Sequence, residues 1–366
     1  MINTKLISNF CWWYFFLILA TALAGVVFIY SANHGRPEAF FRHLYVKQLY
    51  WILYGLIVML AAIWVDYRIF NRYAYLFYTL TLLALAYVLV NGVVASGAKR
   101  WIRLGPLTLQ VSEFAKFALI IVLAKYFSGG KSQGQYRLRD LIIPTILTLT
   151  IGLMIASQPD LGTAMIIFFL FIIYITAIEM DYRTLIRMFC TGLILTPAFW
   201  FLLKDYQKTR LLTLFNPELD PLGAGYHSIQ SKIAIGSGGF WGKGLLAGTQ
   251  SRLNFLPEKH TDFIFSVFAE ESGFIGVVGL LMVYLVIILK GLNIAYRAGD
   301  RFGFFVALGI VGSLSFYIIF NIGMTIGFFP ITGLPLPLFS YGGSSLITNF
   351  FALGLLLNID MRRNLH

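Results

Sequence analysis

In this chain the polar side chains able to do chemistry fall in four places. Glu113 and Lys116 open an apolar run three residues apart, a spacing that puts both on one helix face. Ser112 just ahead of them suits a helix cap, and a carboxylate in the first turn suits the positive end of the helix dipole. Gln158-Pro159-Asp160 makes a tight turn between two apolar runs, where Asp160 either caps the next helix or lines a cavity. Asp262, Glu270 and Glu271 head a further run. At helical spacing Glu270 lies about 80° round from Asp262 and Glu271 about 180°, so the three cannot share one pocket. The two glutamates read as structural partners for cations in the bundle. Lastly, Pro335 and Pro337 stop any helix, and Ser340 to Ser345 offer small residues and backbone N–H groups at the start of the next one. Such a start attracts phosphate-like anions, or serves only as a cap and a close packing contact.

The elements that must position these groups follow from composition. Of 366 residues, 58% are hydrophobic and 12% charged, about half the charge of a soluble domain. A soluble globular domain, a disordered chain and a disulfide-stapled secreted domain are excluded. Ten apolar runs are long enough to span a bilayer, at about 11–30, 48–65, 74–94, 112–128, 140–157, 162–179, 184–203, 263–290, 302–327 and 339–358. The fold class is therefore all-α, a polytopic integral membrane protein of about ten transmembrane helices in one domain, 1–366. Each charge within a span costs about 2.5–3.5 kcal/mol, which makes Glu113, Lys116 and the span-eight glutamates conspicuous. The run after Lys5 has no cleavage site and reads as a retained first helix. Gly273, Gly276 and Gly279 in span eight suggest tight helix packing.

The net charge of +12 reads as membrane topology and not as nucleic-acid binding. With both termini in the cytoplasm, inside segments hold 14 cationic residues against 7 in the short outer ones. Trp12, Trp13, Tyr14, Tyr50, Trp51, Trp64 and Tyr67 sit at span ends as an aromatic belt. That orientation puts the one long connection, 204–262, outside. It carries eight glycines between Gly223 and Gly248, together with Arg210, His227, Lys243, Arg252, Glu258 and His260; it is either a ligand-approaching loop or a flexible surface one. Cys11 and Cys190 read as buried free thiols, and the histidines form no zinc pattern. Polar groups gathered toward one face, without matching halves, favour chemistry on an outer-leaflet substrate over transport.

Two stretches resemble the SEDS family (shape, elongation, division and sporulation proteins), in its rod-shape branch. Residues 321–345 read NIGMTIGFFPITGLPLPLFSYGGSS, and residues 205–271 include DYQKTRLLTLFNPELDPLGAGYHSIQSKIAIGSGGFWGKG and EKHTDFIFSVFAEE. GAKRWIRLG, SEFAK and QPDLGT add shorter matches. The resemblance implies a peptidoglycan glycosyltransferase of the bacterial inner membrane that polymerises lipid II during elongation. It implies Asp262 as the essential acid, placed to take the proton of an attacking sugar hydroxyl. The pyrophosphate leaving group needs cations, N–H groups or a divalent cation (Mg or Mn). Lys99, Arg100, Arg210, Lys243 and His260 are candidates by charge and side; Glu113, Lys116 and Asp160 are candidates for the cavity wall, and Ser340 for the anion-binding helix start. The resemblance also implies a class B penicillin-binding protein as partner, with other elongation-complex membrane proteins, because no transpeptidase signature is readable here. A lipid II flippase and a non-catalytic scaffold for the transpeptidase are the alternatives.

Overall fold

The computed structural model describes residues 9–34, 41, 43–95, 98–104, 107–130, 135–221, 223–253, 255, 256 and 258–363. Lys5, and positions 97 and 105 of the GAKRWIRLG stretch, lie outside them.

Every apolar run is a helix: α1 (Trp12–Asn33), α2 (Leu44–Trp64), α3 (Ala74–Asn91), α4 (Val111–Ser128), α5 (Ile142–Ser157), α6 (Leu161–Thr176), α7 (Tyr182–Leu202), then α10 (Ile264–Tyr296), α11 (Arg301–Thr325) and α12 (Gly343–Arg362). A helix satisfies its own backbone groups, which is what hydrocarbon demands of any spanning segment. Among the described residues seven helices are long and apolar enough to cross a membrane by length and composition. Of the other three, α4 carries three charges, α6 has 16 residues, and α7 includes positions whose side chains lie outside the described set.

The core lies along α4, α11 and α12, which are buried nearly all round. Around them α3, α5 and the second half of α10 turn apolar side chains outward, among them Leu83, Val90, Leu153, Met282 and Leu289. Trp12, Trp13, Tyr50 and Trp64 are exposed at helix ends as a belt requires. Tyr14 and Tyr67 are instead buried, their hydroxyls donating to the Ile287 carbonyl and to Asp300. Cys190 is exposed and Cys11 half-buried, so the thiols are free but not core residues.

Both described ends lie on one face. Trp13 near the start of α1 approaches Lys290, which pairs with Asp360 at 3.0 Å, and Asp360 pairs with Arg363 at the end of α12. Arg68 with Asp300 and Arg362 with Asp66 join the same charged face. The opposite face carries a second set of polar groups, which line a cavity. There a three-stranded antiparallel sheet follows α3: β1 (Val93–Ala95), β2 (Ala98–Leu104) and β3 (Leu107–Gln110). The sequence reading did not anticipate this sheet. The long connection is not an irregular loop either; it folds into α8 (Asp205–Phe215) and α9 (Ala224–Ser237), with a short turn at Thr249–Arg252.

Candidate active site

A cavity of about 400 Å³ opens on that face, walled by the sheet, the starts of α4, α6 and α12, helices α8 and α9, and the turn ahead of α10. Asp262 lies in that turn. Its main chain is fixed on both sides: its N–H donates to the Glu258 carbonyl (3.1 Å), and Asn321 Nδ2 donates to its carbonyl (3.0 Å). Ser340 Oγ donates to the neighbouring Thr261 carbonyl at 2.7 Å, and Asn321 Nδ2 also donates to the Leu334 carbonyl at 2.7 Å. Loops 331–335 and 341–345 are thereby tied to the same aspartate.

The Asp262 carboxyl reaches the cavity while protein surrounds it elsewhere. Burial pushes its pKa up to about 7, helped by the nearby Glu258 carboxylate and opposed by Thr261, Arg210 and Arg100. Arg100 and Arg210 both line the cavity. Arg100 gets there through a bulge: Val93 pairs with Trp101 and Val94 with Lys99, so Arg100 is the extra residue of β2. A bulge re-aims a side chain, and this guanidinium donates to the Pro159 carbonyl (3.0 Å) and lies 3.7 Å from Asp160. Arg210 comes from α8, whose inner face is polar (Gln207, Thr213) and whose outer face exposes Leu212 and Phe215.

Asp160 does both things its position suggested. Its Oδ1 caps α6 by accepting from Thr163 N (3.2 Å), and it lines the cavity. Its Oδ2 accepts from Gln110 and from Ser112, so Ser112 serves Asp160 and is not the cap of α4. Glu113 also lines the cavity, and beneath it Lys116 is fully buried, 2.7 Å from Glu113 and over the Tyr317 ring. Tyr317 and Thr348 hydroxyls donate to Glu113, joining α4 to α11 and α12. The residues Gly342 to Ser345 at the start of α12 line the cavity.

Four candidate residues lie outside the lining, Lys116 beneath Glu113 among them. Lys243 is held by Glu270 at 2.7 Å. His260 packs between Phe41 and Tyr341, and Ser340 spends its hydroxyl on the turn. The side chain of Lys99 is outside the described set, as is that of Arg252. Glu270 has the cation it was expected to have; Glu271 instead accepts from the Ser31 hydroxyl. Of the span-eight glycines, Gly273 breaks the helix, with φ +64°, and at Gly279 an added Cβ would meet open space.

The cavity also holds Trp101, Gln110, Thr163, His227, Glu258 and Tyr341, none of which the sequence singled out for the site. Burial pushes the His227 imidazole below its usual range, with Asp220 and Glu258 opposing and Arg210 acting the same way. Only Glu258 had a legible signal, its place four residues before Asp262 in the same phrase. Among the described residues no three His, Cys, Asp or Glu side chains are grouped to hold a metal. Glu258 and Asp262 are two hard oxygen donors in one cavity, which is the protein share that Mg²⁺ takes when substrate phosphates complete its shell.

Comparison with known proteins agrees along the whole chain. The model of the FtsW/RodA/SpoVE family, described as cell cycle protein, matches residues 11–365. The peptidoglycan glycosyltransferase MrdB of Escherichia coli (strain K12) is 40% identical over 321 residues, 86% of this chain and 85% of that protein. A solved chain from work on the structural coordination of polymerization and crosslinking by a peptidoglycan synthase complex superposes with a TM-score of 0.82. It is 36% identical and covers 98% of this chain and 99% of that one. The rod shape determining protein RodA of Thermus thermophilus superposes with a TM-score of 0.71 at 31% identity, covering 97% and 98%.

Proposed function

The chain belongs to the FtsW/RodA/SpoVE family, the SEDS proteins, on its RodA-like side, and from that premise we propose that this peptidoglycan glycosyltransferase polymerises lipid II with Asp262 as general base. The observation that carries the reading is Asp262 itself: a carboxyl raised toward neutrality, in a cavity it shares with two arginines. A base works best when its pKa lies near the operating pH.

In this reading the acceptor sugar's 4-hydroxyl lies within hydrogen-bond reach of the Asp262 carboxylate. Asp262 takes the hydroxyl proton as the oxygen bonds to the donor's anomeric carbon, and the bond from that carbon to the lipid pyrophosphate breaks. Arg100 and Arg210 meet the charge that develops on the leaving group, and the N–H groups at the start of α12 add fixed positive ends. Asp160 and its partners Gln110 and Ser112 hold the Arg100 side of the wall, and the Glu113–Lys116 pair forms the floor. Were Mg²⁺ or Mn²⁺ bound, Glu258 and Asp262 would hold it with pyrophosphate oxygens, and it would supply further charge neutralisation.

The cavity face is the outer face of the inner membrane, with ten crossings and both termini in the cytoplasm. The charged opposite face supports that orientation. Crosslinking falls to a class B penicillin-binding protein, with other elongation-complex membrane proteins around the pair. The likeness to a synthase complex that coordinates polymerization and crosslinking supports this partner. The test is incubation of the purified chain with lipid II and the transpeptidase, products being separated by length. Glycan strands are expected from the wild type, and a 10²–10⁴-fold loss from folded Asp262→Asn, the usual cost of losing a general base. Undiminished polymerisation by that variant removes Asp262 from the mechanism.

A further inference from the structure

Helix α10 is two helices. At Gly273 the backbone turns to φ +64° and ψ −167°, a conformation open essentially to glycine, and a Cβ there would run into the backbone of Trp241 and Gly242. The break strips the carbonyls of Glu270 and Glu271 and the amides of Phe274 and Ile275 of helical partners. The segment 239–244 takes all four. Lys243 N and Gly244 N donate to the two carbonyls at 3.0 Å each, and Phe274 N and Ile275 N donate to the carbonyls of Gly239 and Phe240.

Beside this seam the Glu270 side chain is fully buried. Its Oε1 accepts from Lys243 Nζ (2.7 Å), Thr249 N (2.7 Å), Thr249 Oγ1 (2.9 Å) and Gln250 N (3.1 Å). Lys243 also donates to the Ser237 and Thr249 hydroxyls. None of these residues lines the cavity. They grip the far end of the half-helix 264–272, whose near end follows directly on Asp262. Nine helical residues make a stiff rod of about 13 Å, and the glycine break frees that rod from the direction of the membrane span. What fixes its far end is the grip of the 239–250 segment on Glu270, beside the Ser31 hydroxyl on Glu271.

We propose that the Lys243–Glu270 pair is a clamp that positions Asp262 for glycosyl transfer, acting through the half-helix and not through contact with substrate. The inference rests on Asp262 being the base. A misplacement of about 1 Å at a reacting group is worth on the order of a hundredfold in rate, so loosening the clamp acts on turnover and spares binding.

The experiment measures kcat and KM for lipid II polymerisation per monodisperse enzyme in detergent. Lys243→Met is expected to lower kcat roughly tenfold to a hundredfold with KM within about twofold, and Lys243→Arg to restore kcat to within about threefold. A rise in KM at unchanged kcat would make Lys243 a substrate ligand and overturn the clamp; so would wild-type kcat in folded Lys243→Met. If Lys243→Met does not yield folded protein, Thr249→Val removes one bond to Glu270 without stranding a charge. A lowered kcat at constant KM is expected, and unchanged kcat overturns the proposal. Asp262→Asn runs alongside: if it polymerises fully, the base assignment fails and takes the clamp with it, whereas an inactive Asp262→Asn beside fully active clamp variants sinks the clamp alone.

Discussion

As the proposed general base, Asp262 must be ionised to accept a hydroxyl proton, and burial with Glu258 nearby holds its carboxyl up to about 7. The rate of strand formation should therefore fall as pH drops through about 7 and level off above it, since the protonated form accumulates on the acid side. Removing the like charge with Glu258→Gln lets Asp262 ionise more readily, so the acidic limb should move to lower pH. Arg210→Gln removes a cation that favours the carboxylate and should move the limb the other way, while raising KM for the pyrophosphate-linked donor. Initial rates on either side of pH 7 for the three proteins check this, and a limb that stays put in Glu258→Gln would show the two carboxyls to be uncoupled. At this scale the sequence made Asp262 legible through the phrase around it, and made Arg100 and Arg210 legible by charge. It could not show that a bulge in β2 turns Arg100 into the cavity, because a bulge is a mismatch between two strands and belongs to neither. Nor could it show that Lys243, which has the same charge, is consumed by Glu270, since 27 residues separate the partners.

Between elements, the node at Glu113 joins three helices, with Lys116 on its own helix, Tyr317 on α11 and Thr348 on α12. Breaking a buried ion pair from one side strands the other charge, at a cost of about 3–5 kcal/mol. Lys116→Met should therefore lower the unfolding temperature of the detergent-solubilised protein, and adding Glu113→Gln should recover part of the loss because no buried charge then lacks a partner. An unchanged midpoint in Lys116→Met would mean that the pair is not buried in the folded protein. The spacing of Glu113 and Lys116 announced their pairing, but Tyr317 and Thr348 lie more than 200 residues away and nothing local points to them. The same contrast governs the elements. Apolar runs of spanning length identify helices in hydrocarbon almost by length alone. The sheet strands run to only three, seven and four residues, too short for alternation to stand out. Helix α8 hides for another reason: it buries polar Gln207 and Thr213 and exposes apolar Leu212 and Phe215, the reverse of a water-soluble helix.

For the molecule as a whole, the two faces have different work. One carries paired charges at the helix ends, Arg68 with Asp300, Lys290 with Asp360 and Arg362 with Asp66; the other carries the sheet, α8, α9 and the cavity. In the proposed function a polymer that becomes cell wall is extended outside the membrane, which makes the face with Asp262 the outer one and leaves the cationic face inside, as the bias that orients short loops favours. Single cysteines distinguish the two sides. With Cys11 and Cys190 replaced by serine, Glu218→Cys lies exposed on the cavity face and Arg183→Cys lies exposed at the start of α7 on the opposite one. In intact cells, or spheroplasts where an outer membrane intervenes, a membrane-impermeant thiol reagent should label position 218, and should reach position 183 only after the membrane is permeabilised. The reverse pattern would turn the arginine-lined cavity toward the cytoplasm, where a growing strand would have no exit, and polymerisation at Asp262 would have to be abandoned even if the purified chain bound lipid II.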